Sequence, residues 1–351
     1  MKNSVFFVAL LTSLFSFSQT LKGVVLDAKT KAPIESASIY YDNTTIGTST
    51  NSKGEFEIEY DQDLQSSLII SFLGYQKLTI PNYSPKQFYK VLLDEQNDML
   101  DEVVIYADDG MSRELKLKFF RSQFLGKSVN GRSCKILNED DLTLRYNKNT
   151  KQLMASSKVP LIIMNENLKY KIQFEMKDFI LGFGNVNLET EHFHLESLIY
   201  TGTSFFESLD NDSTIVNKRN KVYKGSVLHF MRTLAKQQLA QEDYQIFSKG
   251  FKVDPERYIS VKSIKNSDAV EVKLRLPLSV MYNNKYQSEL LNRQLTSEEN
   301  PSNSSYFNTT ITINRFGNYS PIEAMYFSGY MSLMRLGDTL PLDYELSNTN
   351  N

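Results

Sequence analysis

Three histidines, one cysteine and no tryptophan leave this 351-residue chain few places where side chains could do chemistry. Two of the histidines fall in Thr190-Glu191-His192-Phe193-His194-Leu195-Glu196. Strand alternation would set His192, His194 and Glu196 on one face, a pattern compatible with a two-histidine, one-carboxylate metal site. The polar face of a solvent-exposed strand has the same look, and no other histidine lies nearby to complete a ligand set. His229 stands three residues after Ser226 and three before Arg232. At a helix start that spacing makes the hydroxyl and the imidazole neighbours, as in a nucleophile and its base. Ser226 is equally an N-cap, whose hydroxyl satisfies the orphan N–H groups of the first turn and is then not free to attack. His229 and Arg232 could equally anchor a carboxylate or a packed loop, which makes Ser226, His229 and Arg232 candidates for a partner or ligand contact. Cys134, between Ser133 and Lys135, reads as a small buried residue rather than a reactive thiol. No glycine-rich phosphate loop, Gly-x-Ser-x-Gly elbow or His-Glu-x-x-His motif occurs.

The elements that must position these residues come from a globular composition. Hydrophobic residues make up 41% of the chain, and its length is enough for two domains of ordinary size. Lys plus Arg number 39 against 41 Asp plus Glu, a net charge of −2. With no basic excess, nucleic acid is not an expected partner. Tyr (20) and Phe (22) are abundant; mixed with β-branched residues on alternating strands they read as core rather than as a sugar platform.

The N-terminus reads as an export signal. Met1-Lys2-Asn3 carries one positive charge, and Val5 to Phe17 is uncharged and apolar, shorter than the roughly 20 residues of a spanning helix. Ser16-Phe17-Ser18 offers small residues for a signal peptidase, so cleavage is expected after Ser18, with no lipid anchor because no cysteine follows. No later stretch is long and apolar enough to span a bilayer as a helix. The mature chain is expected to be exported, in the periplasm or associated with the outer membrane, and held to a membrane only through a partner.

From Leu21 to Tyr106 short alternating runs recur between turn residues at roughly 8 to 12 residue intervals, the rhythm of a β-sandwich. The clearest is Glu55 to Tyr60, with Phe56, Ile58 and Tyr60 on one face and three glutamates on the other. Asn51-Ser52-Lys53-Gly54 before it is turn chemistry, so Thr45 to Thr50 is expected to pair with it as a hairpin. Further strands are expected at Lys22 to Asp27, Ala37 to Tyr41, Leu68 to Phe72, Gln76 to Ile80, Phe88 to Leu93 and Glu102 to Tyr106.

Six elements in this stretch carry a resemblance: Gly23-Val24-Val25-x-Asp27, Ala32-Pro33-Ile34-x-x-Ala37-x-Ile39, Gly47-Thr48-x-Thr50, Gly54-x-Phe56-x-Ile58, Ser71-Phe72-x-Gly74-Tyr75 and Leu100-Asp101-Glu102-Val103-Val104. Together they resemble the carboxypeptidase-regulatory-like domain, a transthyretin-like sandwich found in metallocarboxypeptidases and at the start of TonB-dependent glycan importers of Gram-negative, Bacteroidota-type bacteria. The resemblance implies a structural or docking module without catalysis of its own. A metallocarboxypeptidase would need a His-x-x-Glu pair, and no histidine here has Glu three residues on. An importer would need a plug and a large barrel, far more chain than remains. Met99 to Ile105 also resembles the energy-coupling box of those importers, a strand that could add to a partner sheet; as the last strand of the sandwich it would need no partner.

The remainder reads as a β-rich second domain with about two helices. Asp108-Asp109-Gly110 breaks the strand pattern, and Ser112 to Gly126 shows Leu115, Phe119, Phe120 and Phe124 at helical spacing between basic residues, with Gly126 as its stop. Strands are expected at Leu142 to Tyr146, Lys169 to Met176, Leu188 to Tyr200, Tyr258 to Ile264, Ala269 to Leu276 and Tyr306 to Ile313. A second helix is expected from Val227 to about Gln241, capped by Ser226, with Leu228, Met231, Leu234 and Ala235 as its apolar stripe. Phe124-Leu125-Gly126-x-Ser128, Cys134-x-Ile136-x-Asn138, Pro160-Leu161-x-Ile163-x-Asn165, Tyr223-x-Gly225-Ser226-x-x-His229-Phe230-x-Arg232 and Leu340-Pro341-Leu342-Asp343-Tyr344 are similar to a family of exported, uncharacterised bacterial proteins. Lys169 stands where that similarity leads one to expect glycine.

The domain plan is thus a signal at 1–18, a sandwich at 19–107, a linker and amphipathic helix at 108–126 and a β-rich domain at 127–351. The expectation is a non-enzymatic binding or assembly subunit of the cell envelope, without a cofactor, partnered by an envelope or outer-membrane protein of a TonB-type or importer system. The alternative is an envelope hydrolase or metal-dependent enzyme with a site near His229 or His192/His194.

Overall fold

A computed structural model describes residues 19–96, 109–188, 190, 192–292 and 307–347. The expected signal at 1–18, the coupling strand Leu100 to Ile105 and the Glu102 to Tyr106 strand lie outside the described residues. The fold is mainly β, and the chain divides into two compact units. The first comprises residues to Asn97 except Tyr41–Thr45 and Asp63–Ser66, which belong with the second.

Seven strands build the first unit: β1 (Gln19–Asp27), β2 (Ser38–Tyr41), β3 (Gly47–Ser49), β4 (Glu55–Tyr60), β5 (Leu68–Ser71), β6 (Leu78–Ile80) and β7 (Phe88–Leu93). They form two sheets, ordered β4-β1-β7 and β3-β2-β5-β6. β1 is central in the first. It runs antiparallel to β4, with Leu21 opposite Ile58, and parallel to β7, with Val25 opposite Val91. The period of two turns Leu21, Val25, Phe56, Ile58, Tyr89 and Val91 inward, and all six are buried. Gly23 is required at the crossing, because a Cβ there would lie 2.4 Å from the Tyr89 carbonyl and 2.6 Å from the Phe56 ring.

The expected hairpin between Thr45–Thr50 and Glu55–Tyr60 does not form. β3 pairs with β2, and β4 with β1 in the other sheet. The turn between them explains the switch: the Asn51 side-chain oxygen accepts from the N–H groups of Lys53 and Glu55, and Gly54 takes φ +74° with its N–H on the Asn51 carbonyl. The side chain absorbs donors that a hairpin would have paired, and the chain turns a corner between sheets.

In the second unit a six-stranded sheet carries one core. Its strands are β8 (Cys134–Ile136), β9 (Leu142–Asn147), β10 (Gln152–Ser157), β11 (Leu161–Asn165), β12 (Tyr170–Asn187) and β13 (His192–Ser208). β12 is the spine, pairing with β11 and β10 on one side and with β13 along its length. The expected strand from Leu188 starts later, at His192, because the Asn187 side chain accepts the Thr190 N–H to close a turn. Helix α1 (Arg113–Phe124), capped by the Ser112 hydroxyl on the Leu115 N–H, belongs to this core. Its Phe120 and Phe124 rings stack at 4.9 Å and meet Phe179 and Phe174 at 4.8 and 5.0 Å. Losing either ring costs about 3–5 kcal/mol. Gly126, at φ +103°, follows the helix end as expected.

Short helix α2 (Val129–Ser133) follows, and helix α3 (Ser213–Tyr223), absent from the sequence reading, is capped by Asp212 on the Ile215 N–H. The next helix, α4 (Val227–Ala235), is shorter than expected. Gln237 at φ +55° takes the left-handed turn that ends it. Phe230, Met231 and Leu234 face the second core, while Leu228 packs against the first. That second core lies between a five-stranded sheet built on Tyr244–Ser248, Leu278–Tyr282 and Tyr286–Leu291 and a four-stranded sheet built on Ile259–Ser263, Val270–Leu276 and Phe307–Ile313.

Candidate functional site

His192, His194 and Glu196 lie on the exposed face of β13, as alternation requires. A bulge opposite Phe183 shifts the register there, and the His194 and Glu196 side chains both approach Gly184 across the ladder, 3.4 and 3.5 Å from where its Cβ would stand. Among the described residues no group of three or more His, Cys, Asp or Glu is placed to hold a metal ion. His194 and Glu196 therefore meet beside Gly184, without a third such side chain placed with them among the described residues.

Ser226, His229 and Arg232 follow one another along the start of α4, and the Tyr223 ring lies near both His229 and Arg232. The Ser226 hydroxyl accepts the backbone N–H of His229 at 3.1 Å; it is an N-cap, bonded to the main chain rather than to the imidazole. The ring is 3% exposed and lies among Tyr223, Tyr244 and Tyr282, with centroids 4.9, 5.2 and 5.6 Å away. Nδ1 accepts the Gly225 N–H at 3.0 Å, with the Tyr244 hydroxyl at 3.1 Å, so the proton sits on Nε2, which faces the Glu242 carboxylate at 3.2 Å. Burial pushes the imidazole pKa below its ordinary value, against the pull of Glu242. The same burial raises the Tyr244 phenol far above its ordinary range. Both groups stay neutral near pH 7, and the imidazole bridges the turn before the helix to the loop after it.

Arg232 is a clamp on the C-terminal segment. Its Nε donates to the Phe316 carbonyl at 3.0 Å, Nη1 to the Tyr344 carbonyl and Nη2 to the Leu342 carbonyl, both at 2.7 Å. The planar fork suits three carbonyls in a way a point ammonium would not.

A second polar cluster, which sequence reasoning did not single out as a unit, centres on Asp338. Its carboxylate accepts from the Ser128 hydroxyl and the Asn130 amide, both at 2.8 Å. Asn165 donates to the Gly337 carbonyl at 2.9 Å, and the Cys134 thiol lies 3.3 Å from the Asn130 carbonyl. Burial raises the Asp338 carboxyl above its ordinary value and pushes the half-buried Cys134 thiol up to about 12, so the thiol stays protonated at neutral pH. Several of the residues that carry the second similarity, among them Ser128, Cys134, Asn165 and Tyr344, fall in these two networks. The signal was available in the recurrence of Asn and Ser beside glycine, but their partners are some 170 to 210 residues away, as in the Asn165–Gly337 and Ser128–Asp338 bonds, a distance no local pattern spans. Among the described residues no buried side-chain nitrogen or oxygen lacks a partner.

Comparison with known proteins bears on the first unit. Residues 21–105 match the CarboxypepD_reg-like domain. Over 95 residues, 26% of this chain, the sequence is 34% identical to the TonB-dependent receptor SusC of Bacteroides thetaiotaomicron. The match spans 9% of that receptor. A solved 9R-lipoxygenase from Cyanothece PCC8801 aligns over 68% of this chain and 50% of its own at 10% identity, but its TM-score of 0.18 carries no argument about fold. No helix among the described residues is long and apolar enough to cross a membrane.

Proposed function

We propose that the chain is a non-enzymatic binding or assembly subunit of the bacterial cell envelope, associated with an outer-membrane system through a protein partner. The carrying observation is the CarboxypepD_reg-like domain at residues 21–105, of the kind shared with a TonB-dependent receptor. On this reading residues 1–18 direct export, the sandwich of 19–107 docks, the helix at 108–126 leads into the second domain, and the β-rich remainder presents the binding surface. The side chains best suited to chemistry support a structural use. Ser226, His229 and Arg232 each bond main chain, and Asp338 holds Ser128 and Asn130. The net charge of −2 disfavours nucleic acid as the partner.

Co-purification tests the reading. The tagged chain, expressed in its own host and taken from gently solubilised envelopes, should bring down an outer-membrane protein in near-equimolar amount. Recovery as a lone soluble monomer would count against it and turn attention to hydrolytic assays of the second domain.

A further inference from the structure

The segment Ser112–Lys135 carries seven of the chain's 39 basic residues and one of its 41 acidic ones, against the negative balance of the whole. The fold sorts these seven cations. Lys116 pairs with Asp109, Arg121 with Glu139 and Lys135 with Glu166, while Arg113 donates to the Leu142 and Glu139 carbonyls. Lys118, Lys127 and Arg132 have no carboxylate partner among the described residues. All three line one cleft of about 810 Å³.

The cleft follows from helix geometry. Glu114, Lys118, Arg121 and Leu125 recur at three- and four-residue steps, so one face of α1 and the residue that ends it make a wall. The chain then turns at Gly126 and returns through Lys127 and α2, whose Arg132 forms the opposite side. Glycine at 131 lets the return run close: a Cβ there would stand 2.6 Å from the Leu125 and Gly126 carbonyls. The floor is apolar, with Leu115 and Leu125 buried. Arg132 donates one Nη to the Lys127 carbonyl, which orders its guanidinium across the cleft. Cations without a carboxylate partner over a low-dielectric floor concentrate positive potential in the concavity, where a bound anion is shielded from water on one side. The volume lies within the range of small-molecule sites.

We propose that this cleft binds a small, multiply charged anion bearing carboxylate or phosphate groups, held by Lys118, Lys127 and Arg132. The proposal goes beyond the assembly reading and does not depend on it, since a chain that purifies without a partner can still hold the anion. Two sources share this chemistry, a soluble anion and an anionic lipid headgroup.

The test is isothermal titration of the full chain with pyrophosphate and with citrate at low ionic strength, alongside sedimentation with phosphatidylglycerol and phosphatidylcholine vesicles. The variant combines Lys118→Ala, Lys127→Ala and Arg132→Ala; the control is Lys265→Ala on an exposed turn. All four side chains are exposed, and unchanged circular dichroism and melting check that each variant folds. Binding of a probe that weakens at least about tenfold in the triple variant, and not in the control, is the expected result. It should also weaken as salt is added. If phosphatidylglycerol vesicles retain the wild type and lose the triple variant while neither soluble anion binds, the source is a headgroup. No binding in any arm, or equal binding by wild type and triple variant, overturns the proposal.

Discussion

Arg232→Met removes three donors and keeps the aliphatic stem. The wild-type guanidinium donates to three main-chain carbonyls at 2.7 to 3.0 Å and lies 5.5 Å from the centre of the Tyr223 ring. A hydrogen bond from a charged group contributes about 1.5–3 kcal/mol when buried. Arg232 is half-buried, and water can replace part of what is lost, so the three together should be worth about 3–5 kcal/mol. For a unit of this size 1 kcal/mol moves the melting temperature by about 2–4 °C, giving a fall of roughly 10 °C. Thermal unfolding followed by circular dichroism reads that fall. Limited proteolysis reads its location, since the released 336–347 segment should be cut first. Arg232→Lys, which can satisfy one carbonyl in place of three, should fall between wild type and Arg232→Met. A stability change below about 1 kcal/mol for Arg232→Met would refute the clamp.

Gly337→Ala places a Cβ 2.5 Å from Gly131 Cα and 2.6 Å from the Leu125 carbonyl, so it should cost about 2 kcal/mol or more, measured as a shifted denaturant midpoint. Gly250→Ala meets nothing within 4 Å and carries only the strain of φ +82°, about 1 kcal/mol. Asp27 accepts from the Thr30 N–H and hydroxyl and from the Tyr75 hydroxyl, which hold its pKa down at about 2 against an ordinary 3.8. The native state then binds fewer protons than the unfolded chain over that window, so its stabilisation is present above pH 3.8 and is lost as pH falls to 2. Asp27→Asn should flatten this acid limb in a urea titration of the first unit. For His229, whose pKa burial lowers, the imidazole resonance should titrate with a midpoint below 6.5, and stability should decline as pH drops below that value; a midpoint above it would contradict the assigned neutral ring.

What the sequence revealed depended on how local the determinant is. Phe56, Ile58 and the Ser226 cap are set by neighbours within a few residues, and each stands where the pattern put it. The β3–β4 hairpin failed because the Asn51 side chain takes donors a hairpin would pair, a contact that composition does not display. Helix α3 went unseen: Asp212-Ser213-Thr214 reads as a cap only once Arg219, buried on the Leu168 and Lys169 carbonyls, is known to face inward. Lys169 adopts φ +52°, the conformation glycine takes without strain, and its carbonyl receives the Leu209 and Arg219 N–H groups. The Asp338 network and the Arg232 clamp join residues far apart in the chain, so the candidates at Ser226, His229 and Arg232 were legible as a group while their partners were not.

The most direct test of the envelope-subunit account is the composition of the native complex. Tagged at its C-terminus in its own host, the protein should elute from a sizing column at a mass well above that of the monomer, with an outer-membrane protein at near one-to-one stoichiometry by mass spectrometry. Elution as a lone monomer from every solubilisation condition would contradict the account.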